Sequence, residues 1–153
     1  MNSVILGGLL PEFNSEGDLP GGVHAAGWHE FQSRFGLATA RRVWLFGRLQ
    51  ALVELAAKTG KLRRVVVWDS FVTTKPAPKD LDILLIVDED FVVERVAPPS
   101  REVFDSTRAK LRFESDVFWA RVSIGEEVLR IWLETYQTSR TFRKRGIVEL
   151  ELM

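Results

Sequence analysis

The residues best suited to chemistry are two aspartates separated by one leucine, Asp80 and Asp82, at the start of an apolar run. Side chains at positions i and i+2 of a β-strand point to the same face, so a strand that begins here places the two carboxylates side by side. Burying such a pair without a counter-charge is unfavourable, and a divalent cation such as Mg²⁺ removes that cost by binding carboxylate and phosphate oxygens together. The pair therefore indicates a cation site, with a solvated strand end as the alternative.

Three neighbouring features favour the cation site. A predicted strand before the pair ends in Asp69-Ser70, the connecting loop carries Lys75 and Lys79, and Asp116 opens a later predicted strand. If that later strand lies beside the first, three carboxylates converge. Two metal ions about 4 Å apart could then activate an attacking oxygen and stabilise a leaving pyrophosphate.

The elements that must position these residues follow from the hydrophobic pattern. Helical spacing begins at Trp28 and stops at Gly36, and a longer helix is predicted from an N-cap at Thr39 to Lys58. Apolar runs predict strands at 64–68, 81–87, 117–122 and 146–152. We further expect a helix over 100–113 with Ser100 as its N-cap, and another that runs from a capping box at 123–126 to Gln137.

Specific faces of these two later helices are expected to be buried. In the helix over 100–113 the inward positions are predicted to be Val103, Phe104, Thr107 and Leu111. In the helix that ends at Gln137 the predicted apolar face consists of Val128, Ile131 and Trp132. The alternation of helices and strands indicates one α/β (α+β) domain over residues 28–153. Residues 1–27 hold six of the eleven glycines, which favours an N-terminal arm or loop.

Composition excludes several kinds of site. The 153 residues contain no cysteine, which removes disulfides, thiolate metal sites and cysteine nucleophiles. His24 and His29 have no third partner for a zinc site, and we expect structural or surface roles for them. The net charge is zero, so any anion site must be local. No run approaches a membrane span, and the apolar stretch 4–10 is too short for a signal peptide, which favours a cytoplasmic protein.

Other basic and aromatic residues leave alternatives open. The basic run of Arg140, Arg143, Lys144 and Arg145 could bind a triphosphate, RNA or an acidic partner, or could be a solvated helix end. A second basic group precedes a predicted strand and comprises Lys61, Arg63 and Arg64. Trp68 and Trp119 could stack on a nucleobase or belong to the core, whereas Trp44 and Trp132 are expected in the core.

The sequence resembles the signature of the polymerase-β nucleotidyltransferase superfamily. The resemblance rests on a strand that ends before Ser70, a spacer of nine residues, the Asp80-Leu81-Asp82 triplet and the later Asp116. The fuller stretch 67–82 is similar to a narrower group of small stand-alone (minimal, antitoxin-like) bacterial nucleotidyltransferase-like proteins of largely uncharacterised function. Weaker similarity at 19–28 and 137–148 extends the resemblance over about residues 19–150.

The resemblance implies a nucleotidyltransferase-like mixed β-sheet of about four to five strands with flanking helices. It implies that Asp80, Asp82 and Asp116 bind Mg²⁺ or Mn²⁺ and carry catalysis, with Asp116 also orienting the acceptor hydroxyl. Ser70 and its backbone amides would cradle the phosphates of a nucleoside triphosphate. We add Lys75 as an expected phosphate contact. Related minimal nucleotidyltransferases often act as antitoxins that modify or bind a HEPN-type ribonuclease toxin.

The sequence departs from this pattern at Asp69, where the family has glycine. An aspartate adds bulk and a negative charge beside the expected phosphate site. Three outcomes follow: weaker nucleotide binding, compensation by a further metal or a basic neighbour, or loss of catalysis with the fold retained. The leading hypothesis is therefore a nucleotidyltransferase acting on a protein or RNA hydroxyl, and the alternative is a catalytically silent scaffold that neutralises a toxin by binding it.

Overall fold

The elements of the chain are built around a mixed sheet. The computed structural model describes residues 10–152. The expectations for residues 1–9, as part of an N-terminal arm and as part of an apolar stretch too short for a signal peptide, therefore lie outside the described residues. The strands and helices in chain order are β1 (Val23–Ala26), α1 (Trp28–Phe35), α2 (Ala40–Ala57), β2 (Leu62–Trp68), β3 (Leu81–Val87), α3 (Pro98–Arg101), α4 (Ser106–Phe113), β4 (Ser115–Arg121), α5 (Glu126–Tyr136) and β5 (Ile147–Leu150).

The sheet has the strand order β1-β5-β2-β3-β4. Its two outer pairs, β1 with β5 and β3 with β4, are parallel, whereas β2 is antiparallel to both of its neighbours. This arrangement confirms the predicted α/β (α+β) class and the mixed sheet of about four to five strands.

Both faces of the sheet are covered, which explains the uninterrupted apolar runs in its central strands. One face, with Val65, Val67 and Ile83, packs against α1, α2 and the segment that leads into β4. The other face, with Val66, Leu84 and Ile147, packs against α5. Alternating side chains of the same strand therefore belong to two separate cores.

The first helix, α1, ends where the sequence predicts, and the second, α2, begins where it predicts. Gly36 follows α1 as its C-cap, and the Thr39 side chain accepts a hydrogen bond from the backbone N–H of Arg42 at the start of α2. Within residues 10–152 no helix is long and apolar enough to cross a membrane.

Residues 23–26 correct the expectation of an irregular arm. They form β1, which pairs in register with β5 from Val23 opposite Ile147 to Ala26 opposite Leu150. A strand of four residues at a sheet edge has too few positions to show a hydrophobic period, so the neighbouring glycines and prolines dominated the pattern.

The helix predicted over 100–113 is interrupted. α3 ends at Arg101, a 3₁₀ turn covers Glu102–Phe104, and α4 starts anew because the Asp105 side chain accepts from the backbone N–H of Arg108. In this interrupted segment Thr107 and Leu111 are exposed, the latter by 77%, so only the buried Val103 and Phe104 fit the prediction.

The capping box predicted at 123–126 is wrong, because Gly125 is the N-cap of α5 and no side chain caps that end. The buried positions of α5 are Leu129 and Leu133, so the buried face of this helix differs from the predicted one. Of the predicted residues, Val128 and Ile131 are exposed and Trp132 is partly buried.

The assignment of Trp44 to the core is also corrected. Trp44 is half exposed, and its indole Nε1 donates to Glu114 Oε2 at 2.5 Å.

Candidate active site

Three carboxylates meet at one edge of the sheet because of its strand directions. Since β3 and β4 are parallel, both begin at this edge, and Asp82 lies directly opposite Asp116 in the register. Asp80 directly precedes β3, and carboxylate oxygens of the three aspartates lie within 4.8 Å of one another. We call Asp80, Asp82 and Asp116 the acidic trio. The antiparallel β2 ends at the same edge, where Trp68 pairs with Asp82 and Asp69 follows.

Lys110, which the sequence analysis did not single out, supplies a positive charge to the acidic trio. Its ammonium group donates to Asp80 Oδ2 at 2.7 Å and lies 3.2 Å from both carboxylate oxygens of Asp116. The hydrogen bond to Asp80 raises the pKa of Lys110. Its position on α4, six residues before Asp116, is the only signal in the sequence that could have indicated it.

Asp82 is the member of the trio on which the electrostatic cost is greatest. Burial, followed by the negative charges of Asp69, Asp80 and Asp116, raises the pKa of Asp82 from 3.8 to about 7. The site therefore has a shortage of positive charge around Asp82, a situation that a bound cation relieves.

Asp69 adopts the backbone conformation that a glycine would favour. Its φ is +68°, in the left-handed region that aspartate visits more readily than most residues. Its carboxylate forms an ion pair with the guanidinium of Arg145, which lies just before β5. Arg145 is thus a basic neighbour of the kind considered above, and it neutralises the charge of Asp69.

A cleft of about 690 Å³ opens beside the acidic trio. One wall carries Ser70, Lys75 and Lys79, and the other carries Arg140 and Arg145. Among residues 10–152, the side chains of Lys75, Lys79 and Arg140 form no ion pair, in contrast to Arg145. An acidic edge therefore borders directly on a cleft with uncompensated positive charge.

Residues 11–151 match a family described as a family of unknown function, DUF6932. The chain belongs to the DUF6932 family. No curated protein and no solved structure matches the chain. The matched DUF6932 region contains all five strands, the acidic trio and both walls of the cleft.

A buried arginine fixes the wall of the cleft in this DUF6932 protein. The Arg42 guanidinium, on α2, donates to the backbone carbonyls of Phe71 at 2.7 Å, Thr73 at 2.6 Å and Lys75 at 2.8 Å. Burial lowers the pKa of Arg42. Sequence reasoning missed this residue because these three partners are backbone carbonyls 29, 31 and 33 positions away, which leave no trace in residue type.

The aromatic residues considered for base stacking have other partners. Trp68 is buried and stacks on Tyr136 with ring centres 3.8 Å apart and planes 9° from parallel. Trp119 lies on the opposite face of β4 from Asp116 and packs against Phe91 and Phe104. Base stacking by Trp119 at this site is therefore excluded by geometry.

Several other basic residues that the sequence analysis considered have partners of their own. Arg143 also lines the cleft but forms ion pairs with Asp18 at 2.7 Å and Glu16 at 3.2 Å. The basic group before β2 is paired elsewhere, through the contacts Lys61 to Asp90, Arg63 to Asp88 and Arg64 to Glu149. The His24 ring Nε2 lies 2.7 Å from the Pro20 carbonyl, consistent with a structural role.

A second cavity lies at the other end of β2 and has a different character. It measures about 270 Å³ and is lined largely by apolar side chains such as Trp28, Val53 and Leu62. It offers no basic side chain to a phosphate, so the cleft at the acidic trio is the better candidate for chemistry.

The acidic trio is suited to a hard divalent cation. Its donor set consists of carboxylate oxygens alone, which Mg²⁺ and Mn²⁺ prefer to softer ligands. The Lys110 ammonium lies among these oxygens and stands in for a cation at hydrogen-bond distance. Both observations indicate that the residues present fit such a metal ion.

Proposed function

We propose that this protein is a Mg²⁺- or Mn²⁺-dependent nucleotidyltransferase that transfers a nucleoside monophosphate from a nucleoside triphosphate to a hydroxyl group of a protein or an RNA, in the cytoplasm. The observation that carries the proposal is the direct contact between two opposite environments. A trio of carboxylates within 4.8 Å borders a cleft with three basic side chains that form no ion pair within residues 10–152. A metal-bound triphosphate requires both environments at once.

Each part of the site has a distinct task in this proposal. Lys75, Lys79 and Arg140 bind the phosphate oxygens from the two walls of the cleft, and Ser70 adds a hydroxyl and backbone amides. Asp80, Asp82 and Asp116 hold the cation, which when bound neutralises charge on the phosphates. Catalysis then consists mainly of positioning and electrostatic stabilisation.

The transfer itself is a displacement at the α-phosphorus. The acceptor hydroxyl oxygen forms a bond to that phosphorus, and the bond from phosphorus to the bridging oxygen of pyrophosphate breaks. Pyrophosphate leaves with the electron pair, and the proton of the hydroxyl passes to the Asp116 carboxylate and then to solvent. Asp116 suits this task because its side chain is only partly buried and lies opposite Asp82 in the register of β3 and β4.

Calorimetric titration with a nucleoside triphosphate in the presence and absence of Mg²⁺ tests the proposal. We expect binding only with Mg²⁺, and its loss in the double variant Asp80→Asn with Asp82→Asn. A matched control removes two acids elsewhere, Glu89→Gln with Asp90→Asn, and should bind as the parent protein does. Absence of binding in the parent would refute the enzyme, and binding unaffected by the first double change would refute the site.

A second candidate function is a protein-binding scaffold that neutralises a HEPN-type ribonuclease toxin without chemistry. It is favoured by exposed apolar side chains beside the site, namely Phe118 (50% exposed) and Ile131 (51%). Co-purification with the product of the neighbouring gene tests it. A complex that persists in the Asp80→Asn, Asp82→Asn variant and protects against the toxin supports the scaffold, and absence of a complex counts against it.

A further inference from the structure

Lys110 differs from the other surface lysines in having two carboxylate partners, one just before β3 and one on β4. Its ammonium donates to Asp80 at 2.7 Å, just before β3, and to Asp116 at 3.2 Å, on β4. The Lys110 backbone is fixed, because its carbonyl accepts from Glu114 N at 3.1 Å in the turn that joins α4 to β4. The side chain is 46% exposed, so it can turn to solvent without disturbing the core.

The ammonium group and a bound divalent cation require the same oxygen atoms. A cation held by Asp80 and Asp116 must lie between the carboxylates that Lys110 now joins. Two positive groups at that spacing repel each other, and the oxygens that Lys110 uses are withdrawn from the metal. Asp82 remains outside the Lys110 contacts, which leaves one carboxylate of the trio without a cationic partner among residues 10–152.

We propose that Lys110 is a built-in counter-ion that a divalent cation must displace from Asp80 and Asp116. The inference rests on the proposed function, and it adds a regulation of the same site. The metal alone binds weakly because it competes with Lys110, whereas a triphosphate offers the displaced ammonium an alternative partner. Metal and nucleotide consequently bind together, and Asp80 and Asp116 keep Lys110 as their cationic partner when neither is present.

The test compares the Mn²⁺ affinity of the intact protein with that of Lys110→Met, measured by calorimetry without nucleotide. Removing the ammonium group that competes for the Asp80 and Asp116 oxygens should tighten binding by about tenfold or more. Lys110→Arg retains the charge and should bind like the parent. Lys61→Met is the matched control, because it removes a paired surface lysine at the far end of β2 and should leave the affinity unchanged.

A second measurement follows the displacement itself. Acetylation of Lys110 by acetic anhydride, quantified by mass spectrometry of peptides, should increase when Mn²⁺ is added, because the amine leaves its carboxylate partners. Acetylation of Lys61 serves as the internal reference. No increase at saturating Mn²⁺ would contradict displacement.

The outcomes separate this inference from the proposed function. If the parent binds Mn²⁺ and Lys110→Met binds it no more tightly, the role of Lys110 is refuted while the metal site stands. If neither protein binds Mn²⁺, removal of the competing charge has uncovered no site, and both proposals fail. If Lys110→Met binds more tightly but no triphosphate binds with it, the counter-ion role stands and the nucleotidyltransferase does not.

Discussion

Replacing Asp82 by asparagine should make the metal-free protein more stable, although it removes a residue of the candidate site. The carboxylate of Asp82 is partly buried beside three other acids, which raises its pKa from 3.8 to about 7. The folded state therefore binds this proton more tightly than the unfolded chain does. Consequently the free energy of unfolding falls as pH rises from about 4 to 7, and the penalty is complete above pH 7.

The size of the effect follows from the two pKa values. A change from 3.8 to about 7 corresponds to about 4 kcal/mol at 1.36 kcal/mol per pH unit. The Asp82 side chain retains contact with solvent, which screens its charge, so we expect about 1–2 kcal/mol. Asparagine has nearly the same shape and no charge, so Asp82→Asn should recover this amount at pH 8.

Urea unfolding at pH 4.5 and pH 8, in buffer with a chelator, measures the difference. Asp82→Asn should exceed the parent in stability at pH 8 and lie close to it at pH 4.5. Addition of Mg²⁺ should stabilise the parent at pH 8 and leave Asp82→Asn unchanged, because ligand binding to the folded state alone raises stability. Asp90→Asn, which removes an exposed acid paired with Lys61, is the control and should show no gain at pH 8.

Two results would refute the reasoning about Asp82. One is an Asp82→Asn protein that is no more stable than the parent at pH 8, since the carboxylate would then carry no electrostatic penalty. The other is a gain of equal size at pH 4.5 and pH 8, since the effect would then come from packing and not from charge.

The remaining predictions concern the cleft. Arg42→Ala leaves buried backbone carbonyls without donors and should lower the free energy of unfolding by about 3 kcal/mol, measured by urea titration. Asp69→Asn keeps a residue that tolerates positive φ, removes the charge and frees Arg145, so the triphosphate affinity measured by calorimetry should rise about tenfold. Asp69→Gly should raise the affinity in the same way. An unchanged affinity would contradict electrostatic obstruction by Asp69. Arg140→Gln should weaken triphosphate binding several-fold, whereas Arg130→Gln, outside the cleft and paired on α5, should not.

Local signals in the sequence predicted the central strands and the first two helices. The apolar run 81–87 and the Thr39 cap are interactions between near neighbours, and the structure retains both. The approach of Asp116 to Asp82 was predicted only conditionally, because residue spacing does not state which strands are adjacent. The resemblance suggested this adjacency, and the parallel pairing of β3 with β4 provides it.

The features that sequence reasoning missed depend on contacts distant along the chain. Arg145 and Asp69 are 76 positions apart, and their pairing requires β5 to lie beside β2. The prediction for 100–113 failed for a local reason, since the Asp105 side chain caps a new helix at Ser106 and so competes with continuation of the preceding one. The spacing of apolar residues alone cannot distinguish one long helix from two short ones, because the same apolar residues fit both arrangements.

Within a chain of zero net charge, acidic and basic residues lie together at one site. Three acids and Asp69 gather at the sheet edge, and Lys110 and Arg145 each neutralise part of that charge from a different element. Under the proposed function, both basic residues are paired with carboxylates that a metal-bound nucleotide would use or approach, so ligand binding must exchange these ion pairs. Because an ion pair is exchanged for another at little net cost, such a site can remain folded without ligand and still bind one. Under the proposed function, Asp69 would be tolerated beside a phosphate because Arg145 neutralises its charge.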